Sequence, residues 1–367
     1  MPLFVFALAF LGIAVATFAV LSTPNEEEKL EILVPDGIPL ASFAGFAQSE
    51  SGVAATQLKD GVFPFSDEMN ALLGKKTSLR ILNGADQLSA AMIDKPKAAV
   101  VPLSMAARFF HSDGYKIMHI ASFGLNEIVG NTEVQGMGEL VGKKVYSFAK
   151  NDIPGLVLRT LIREDGGKVN ELADDNDVLD PSAVNILEFN DAQSAGAAKL
   201  KSQDAADVFA FLPEPVATSI AEKSDGSLKV TDPQQFWKRL FHTDQPYPQS
   251  ALIIRKDIAE SAGYAETFSV LCLGMGLSSQ LASEDVDKLV EIMRGDFNST
   301  SFANAGAVKL AIRSGRIPQS DGSTLRPEMR SSVLAFLKTL ALTSEQPDKV
   351  LGGDVPDESI FADLQQK

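Results

Sequence analysis

Short apolar runs alternate with stretches of helical period along the first third of the chain. The runs Lys29–Pro35, Ser78–Leu82 and Ala98–Val101 predict buried strands. Each strand is followed by a turn and then by a predicted helix, over Leu40–Ser49, Gln87–Met92 and Met105–Phe110 respectively. A strand, a tight turn and a helix repeated three times are typical of a parallel α/β sheet.

The same alternation begins again near residue 126, after the apolar run Ile117–Phe123. Strands are predicted over Gly142–Phe148, Asn185–Leu187, Asp207–Phe211 and Ser227–Val230. Helices are predicted over Gly155–Arg163, Ala192–Ser202 and Val216–Glu222. These elements predict a second α/β block of similar construction.

The last third of the chain has a different pattern. Ser250–Arg255 predicts one more strand, and from about Ala259 onward the period is helical. We therefore expect the chain to cross to a second lobe near Phe123–Asn126 and to return near Tyr247–Ser250. The expected fold class is α/β, with two lobes of parallel-rich sheets flanked by helices and a two-crossover hinge. Lobe I would span residues 29–123 and 250–367, and lobe II residues 124–249.

Composition narrows the classes of function. The 367 residues suffice for two α/β domains, and 45% of them are hydrophobic, which favours a folded chain. The formal net charge of −15 repels phosphate backbones, so no nucleic-acid partner is expected. We expect a monomer that binds a small-molecule ligand.

The N-terminal segment is apolar and ends abruptly. Met1–Leu21 is followed by a polar, acidic stretch that reaches Glu28. This pattern predicts a signal peptide or a retained membrane anchor plus a linker over residues 1–28, and hence a periplasmic location. The single cysteine, Cys272, excludes a disulfide within the chain, and no cysteine near Leu21 is available for lipid attachment.

Candidate catalytic chemistry is sparse. The three histidines, His111, His119 and His242, lie outside any recognisable catalytic motif. The sequence has no Gly-x-Ser-x-Gly elbow, His-Glu-x-x-His helix, Gly-x-Gly-x-x-Gly loop or Gly-Lys-Ser/Thr run. We therefore expect that the protein is not an enzyme and that it has no catalytic residues, no cofactor and no metal site.

Loops between strand ends and helix starts are the expected binding region, because ligands of open parallel sheets bind at the carboxyl ends of the strands. Backbone N–H groups and helix dipoles there favour an anionic or strongly hydrogen-bonding solute. The two crossovers add an aromatic ring and an amide. The candidate ligand-binding residues are Asp36, Gly37, Ile38, Pro39, Gly84, Ala85, Asp86, Leu103, Ser104, Phe123, Lys150, Asn151, Asp152, Glu214, Tyr247 and Gln249. Such loops also serve as ordinary turns and caps, so each residue has a purely structural alternative.

Five segments resemble those of a known family. They are Ala98–Ala107 (AAVVPLSMAA), Gly142–Val145 (GKKV), Phe211–Ala217 (FLPEPVA), Tyr247–Asp257 (YPQSALIIRKD) and Leu351–Phe361 (LGGDVPDESIF). In this order they are similar to segments of the periplasmic solute-binding proteins that serve ABC importers of nitrate, sulfonates, taurine and thiamine precursors. That family has the type II periplasmic binding fold. The similarity spans about residues 29–362.

The resemblance implies the substrate-binding component of an ABC importer, which captures a small organic or anionic solute by closure of two lobes and delivers it to a membrane permease. One segment departs from the family, because Ala149–Pro154 lacks the hydroxyl side chains that members often carry there. The single cysteine also excludes the pyrimidine-synthase branch, which uses a cysteine-rich motif. The alternative is a periplasmic sensor or assembly factor that uses the same fold to bind a protein partner.

Overall fold

The computed structural model describes residues 29–47, 61–261, 264–317 and 325–362. The predicted export segment, Met1–Leu21, lies outside these ranges, and so does Ser49, the predicted end of the first helix. Within these ranges no helix is long and apolar enough to span a membrane. The described chain forms two six-stranded mixed sheets flanked by helices.

The first sheet combines strands from both ends of the chain. Its strands are β1 (Lys29–Pro35), β2 (Val62–Pro64), β3 (Lys76–Leu82), β4 (Ala98–Pro102), β5 (Tyr115–Phe123) and β12 (Pro248–Arg255). Their order is β2-β3-β1-β4-β12-β5. The central strands β3, β1 and β4 are parallel, whereas β2, β12 and β5 pair antiparallel with their neighbours.

The second sheet is formed by the middle of the chain. Its strands are β6 (Asn126–Gly130), β7 (Lys144–Phe148), β8 (Val169–Leu172), β9 (Val184–Phe189), β10 (Val208–Pro213) and β11 (Lys229–Thr231). Their order is β11-β6-β10-β7-β9-β8. Since β6 runs antiparallel to β10, the start of β6 lies at the same edge as the carboxyl end of β10.

Helices cover both sheets. They are α1 (Ile38–Ala41), α2 (Asp67–Leu73), α3 (Ala85–Met92), α4 (Leu103–Asp113), α5 (Ile153–Glu164), α6 (Ala192–Lys201), α7 (Val216–Lys223), α8 (Gln234–Leu240), α9 (Lys256–Ala259), α10 (Ala265–Glu284), α11 (Val286–Gly295), α12 (Ala305–Arg313), α13 (Pro327–Thr343) and α14 (Pro347–Leu351). We call the first sheet with its helices lobe I, and the second sheet with its helices lobe II. The predicted α/β class is confirmed. In the described residues, every named element after Ala259 is a helix, as predicted.

The chain passes between the two sheets twice. The first passage lies between Phe123, at the end of β5, and Asn126, at the start of β6; the second lies between α8 and Pro248, where β12 begins. Both sheets also contribute to one apolar core, because Ala99 and Ile253 of lobe I belong to the same buried cluster as Val145 of lobe II. The predicted two-crossover hinge is therefore present.

Helix α13 packs against this hinge. Its Phe336 ring stacks on Tyr247, with ring centroids 5.8 Å apart and 11° between the planes, and meets Trp237 edge-on at 5.5 Å. At the end of α13, Thr343 Oγ1 lies 2.7 Å from Thr160 Oγ1 of α5. One C-terminal helix therefore contacts both lobes.

One predicted helix is wrong in extent. In place of a helix over Leu40–Ser49, the described residues form α1 and a single 3₁₀ turn at Ala44–Phe46. The Phe46 ring packs directly on Gly274 of α10, where a Cβ would lie only 1.9 Å from Phe46 Cζ. Other predicted strands and helices are present with boundaries shifted by a few residues, while β2, α2, β6, β8, α8 and α9 were not predicted.

Candidate functional site

Asp36 and Gly37 form a turn at the carboxyl end of β1. The Asp36 carboxylate accepts hydrogen bonds from Ser299 Oγ, from Thr300 N at 2.9 Å and Oγ1 at 2.7 Å, and from Ser301 N at 3.2 Å. Gly37 has φ = 130°, a conformation that favours glycine. The Asp36 carboxylate is therefore engaged in holding the segment that precedes α12.

The other predicted residues of lobe I differ widely in exposure. Ile38 and Leu103 are buried in the apolar cores, whereas Gly84 and Asp86 are exposed around the first turn of α3. Pro39 is half-buried in α1, and Ala85 begins α3. Buried side chains can contact a solute only if the surrounding core rearranges.

Ser104 and Asp152 join the two lobes. Ser104 is buried in the first turn of α4, and its Oγ donates a hydrogen bond to Asp152 Oδ1 at 2.8 Å. The same carboxylate oxygen accepts from Ile153 N at 2.8 Å, so Asp152 also caps α5. The start of α4, which follows β4, therefore meets the loop between β7 and α5.

Lys150 belongs to a network of paired charges beside this contact. Its Nζ lies 3.4 Å from Glu171 Oε2, and Arg159 Nη2 lies 2.8 Å from both Glu171 Oε1 and Glu188 Oε1. Burial raises the pKa of the Glu188 carboxyl, and the positive charge of Arg159 partly offsets this increase. Asn151 is exposed on the same loop.

Glu214 forms a second junction between the lobes. Its side chain has no exposed surface, and its Oε1 accepts hydrogen bonds from Thr218 Oγ1 and from Arg316 Nε, each at 2.7 Å. Arg316 Nη2 also donates to Thr218 Oγ1 at 2.7 Å. Nearby, Asn304 Nδ2 donates to Ser219 Oγ at 2.9 Å. Arg316 and Asn304 come from the C-terminal part of lobe I, so both contacts cross between the lobes.

The predicted crossover residues pack within the hinge. Tyr247 is fully buried, and its hydroxyl accepts a hydrogen bond from Asn126 Nδ2 at 3.2 Å. Burial raises the pKa of the Tyr247 hydroxyl. Gln249 Oε1 accepts from Leu125 N at 2.9 Å, and Phe123 is buried opposite Pro248. In this conformation all three residues support the hinge.

The sequence reasoning missed two carboxyl groups at the second junction. Glu127 lies in β6, is 1% exposed, and its Oε2 has no hydrogen-bond partner. The register of β11 and β6 pairs Thr231 with Ile128, which places Asp232 next to Glu127. Burial raises the pKa of both carboxyls, and the negative charges of Asp232 and Glu214 contribute to a pKa of Glu127 well above its ordinary value.

The sequence carried a signal for one of these residues. Glu127 is an acidic residue directly before the apolar pair Ile128 and Val129, and carboxylates are rare at buried positions unless paired. Arg316 gave no such signal, since an arginine after a helix is ordinary on a protein surface. Its contact with Glu214 joins residues 102 positions apart.

The geometry is suited to opening and closing around the hinge. The contacts Ser104–Asp152, Asn304–Ser219 and Arg316–Glu214 all join side chains of different lobes. Separation of the lobes would break these contacts while both sheets stay intact. Among the described residues, no group of three His, Cys, Asp or Glu side chains could hold a metal ion.

The whole arrangement is that of the periplasmic binding protein fold. A solved ABC transporter structure from Parabacteroides distasonis is similar at a TM-score of 0.64 and 18% identity, over 92% of this chain and 99% of that one. The periplasmic aliphatic sulphonate binding protein SsuA of Escherichia coli matches at a TM-score of 0.56 and 13% identity, over 91% and 95% of the two chains. The predicted resemblance to these binding proteins is confirmed at the level of the fold.

A third similar structure is the ligand binding component of an ABC-type import system from Staphylococcus aureus, solved with zinc bound. It matches at a TM-score of 0.56 and 12% identity, over 92% of this chain and 97% of that one. No protein-family model matches the sequence, and no curated protein matches it. At these identities the three similarities show a shared fold.

Proposed function

We propose that the protein is the substrate-binding component of an ABC importer. It is exported to the periplasm, acts as a monomer, captures a small organic solute between its lobes and delivers that solute to a membrane permease. The observation that carries the proposal is a contact between residues that follow strand ends of opposite lobes, in which Ser104 Oγ donates to Asp152 Oδ1 at 2.8 Å. Ligands of open α/β sheets bind at such strand ends.

Closure of the lobes supplies the mechanism. A solute that contacts one lobe stabilises the closed form to the extent that it gains further contacts with the other lobe. The interlobe hydrogen bonds of Ser104 and Asn304 form only on closure and add to that gain. The permease then distinguishes the loaded protein by its closed shape.

A thermal-shift screen of the purified protein tests the proposal. The panel contains nitrate, alkylsulfonates, carboxylates, pyrimidines, amines and amides. A specific solute at 100 times its dissociation constant stabilises the folded protein by about 2.7 kcal/mol, which gives a clear increase in Tm.

Two serine variants on helix α4 make the screen site-specific. Ser104→Ala removes an interlobe hydrogen bond worth about 1 kcal/mol and should weaken solute binding roughly fivefold. Ser112→Ala is the matched control, because Ser112 is exposed and its Oγ donates only to the adjacent Asp113 Oδ2, at 2.6 Å. Equal affinities in the two variants would contradict the proposed site. A folded protein that responds to no solute would contradict capture and would favour the protein-partner alternative.

A further inference from the structure

A carboxyl oxygen without a hydrogen-bond partner is buried where the two lobes meet. Glu127 is 1% exposed, and its Oε2 is unpartnered. Burying a carboxyl group without a partner costs free energy, whichever protonation state it takes. A hydrophobic residue at the same strand position would avoid that cost, so the placement of Glu127 calls for a function.

The neighbourhood of Glu127 is acidic. The strand register places Asp232 beside it, and Glu214 lies two residues beyond Leu212, its partner on β10. We call Glu127, Glu214 and Asp232 the acidic junction. Arg316 reaches the acidic junction from lobe I and pairs with Glu214, with Nε to Oε1 at 2.7 Å.

Arg316 does not complete the pairing. Its guanidinium donates to Glu214 and Thr218, while Asp232 accepts a hydrogen bond from Gln234 N at 2.8 Å. Arg316 is therefore hydrogen-bonded to one of the three carboxyls, and Glu127 Oε2 still has no donor. One more cationic or N–H donor group would satisfy this oxygen.

We propose that the acidic junction binds the cationic group of the captured solute, an ammonium or amidinium whose N–H groups donate to Glu127 and Asp232. This inference rests on the proposed function and names the class of solute. An organic cation gains charge-assisted hydrogen bonds in a site shielded from water. The solute enters when lobe I, with Arg316, moves away, and the returning lobe encloses it.

An anionic solute fits these loops poorly. Lys150 and Arg159 pair with Glu171 and Glu188, and Arg316 pairs with Glu214. A sulfonate or carboxylate would have to break one of these pairs and would add negative charge to an acidic region. Of the small organic or anionic solutes that the sequence allowed, the charge balance thus opposes the anionic ones.

Isothermal titration calorimetry with four probes of equal chain length tests the inference. Butylammonium and butylguanidinium are the cations, butanesulfonate is the anion, and butyramide is neutral. We expect saturable binding of at least one cation. Glu127→Gln and Asp232→Asn keep the side-chain shape and should each weaken cation binding about tenfold or more. Glu164→Gln, an exposed carboxylate at the end of α5, is the matched control and should leave binding unchanged.

Proton release gives a second readout that a structural role would not affect. Burial together with the charges of Asp232 and Glu214 raises the pKa of Glu127, and Arg316 only partly opposes this, which favours the protonated carboxyl in the free protein. Lys238 acts on the neighbouring Asp232 in the direction opposite to burial. Cation binding should therefore release a proton, so that the measured enthalpy depends on the buffer. Glu127→Gln should lose that dependence.

The outcomes separate the inference from the proposed function. If an anionic or neutral compound binds while cations do not, the cationic class is wrong and solute capture stands. If a cation binds but Glu127→Gln and Asp232→Asn retain full affinity, the acidic junction is not the site. If neither these probes nor any compound of the broader panel binds to the folded protein, both proposals are wrong.

Discussion

At the scale of single residues, the junction between the lobes contains carboxyl groups in three different states. Glu214 is paired with Arg316, Asp232 accepts a backbone hydrogen bond from Gln234, and Glu127 Oε2 is unpartnered. The paired group joins lobe I to lobe II. Among the three, Glu127 has its pKa raised well above its ordinary value by burial.

Glu127→Gln should change how stability depends on pH. Because the folded state raises the pKa of Glu127 well above its ordinary value, the folded protein holds a proton that the unfolded chain releases. The free energy of unfolding therefore falls as the pH rises from about 4.5 toward the raised pKa. The variant lacks this contribution, so its stability relative to the wild type should increase with pH across that window. Urea denaturation at several pH values measures the difference.

The comparison with the wild type isolates Glu127 from other groups. Burial also raises the pKa of Asp232 and Glu188, so part of the pH dependence remains in the variant. Glu164→Gln is the surface control and should follow the wild type at every pH. If the free energy of unfolding depends on pH in the same way in Glu127→Gln and in the wild type, the pKa of Glu127 is not raised in the folded protein.

Individual site residues were only partly predictable from the sequence. Ser104 and Asp152 were chosen because they follow strand ends, and the structure places their side chains in contact. Tyr247 and Gln249 were proposed as solute contacts because they lie at a crossover, and in the structure both side chains are engaged in the hinge. Arg316 could not be found, because the tertiary fold alone determines that it meets Glu214.

At the scale of elements, the largest buried side chain by which helix α13 packs against the hinge is Phe336. Phe336 is fully buried against Tyr247 and Trp237, whereas Leu342 near the end of the same helix is 68% exposed. The interlobe core therefore depends on one face of α13. The opposite face contributes little to it.

Phe336→Ala should lower the free energy of unfolding by about 3–5 kcal/mol, because it leaves a cavity between the lobes. Leu342→Ala on the same helix should change it by less than about 0.5 kcal/mol, since the side chain is largely in solvent. Chemical denaturation of both variants provides the measurement. A similar, small loss in both would mean that α13 does not hold the lobes together.

Elements with a clear period were predictable, and those with mixed patterns were not. The parallel strands β1, β3 and β4 are continuous apolar runs or alternate regularly, so the sequence identified them. Strand β6 has the sequence Asn-Glu-Ile-Val-Gly, and its two polar residues interrupt the apolar pattern by which a strand is predicted. Both polar residues are buried, one at the hinge and the other at the acidic junction. The apolar pattern of the strand is therefore interrupted because the strand contributes to the site.

At the scale of the whole molecule, the proposed capture of a solute requires that the two lobes close on it. The structure contains a closed arrangement in which side chains of opposite lobes touch at Ser104–Asp152 and at Glu214–Arg316. Neither contact belongs to a sheet or to the backbone ladder. Opening therefore costs these side-chain interactions and not the fold of either lobe.

The most direct test is the distance between the lobes, measured by pulsed electron spin resonance with and without solute. Spin labels on Ile93→Cys and Val178→Cys place one probe on each lobe, at positions 78% and 90% exposed and outside the candidate site. The native Cys272 is 2% exposed, and burial raises the pKa of its thiol to about 11, so it should not react with the label. The single-label variants are the controls.

Without solute, we expect a broad or double distribution of distances between the two spin labels. A solute from the panel should shift it to the single distance of the closed structure described above. A distribution that stays at one distance with every solute, while the protein remains folded, would contradict solute capture by closure of the two lobes.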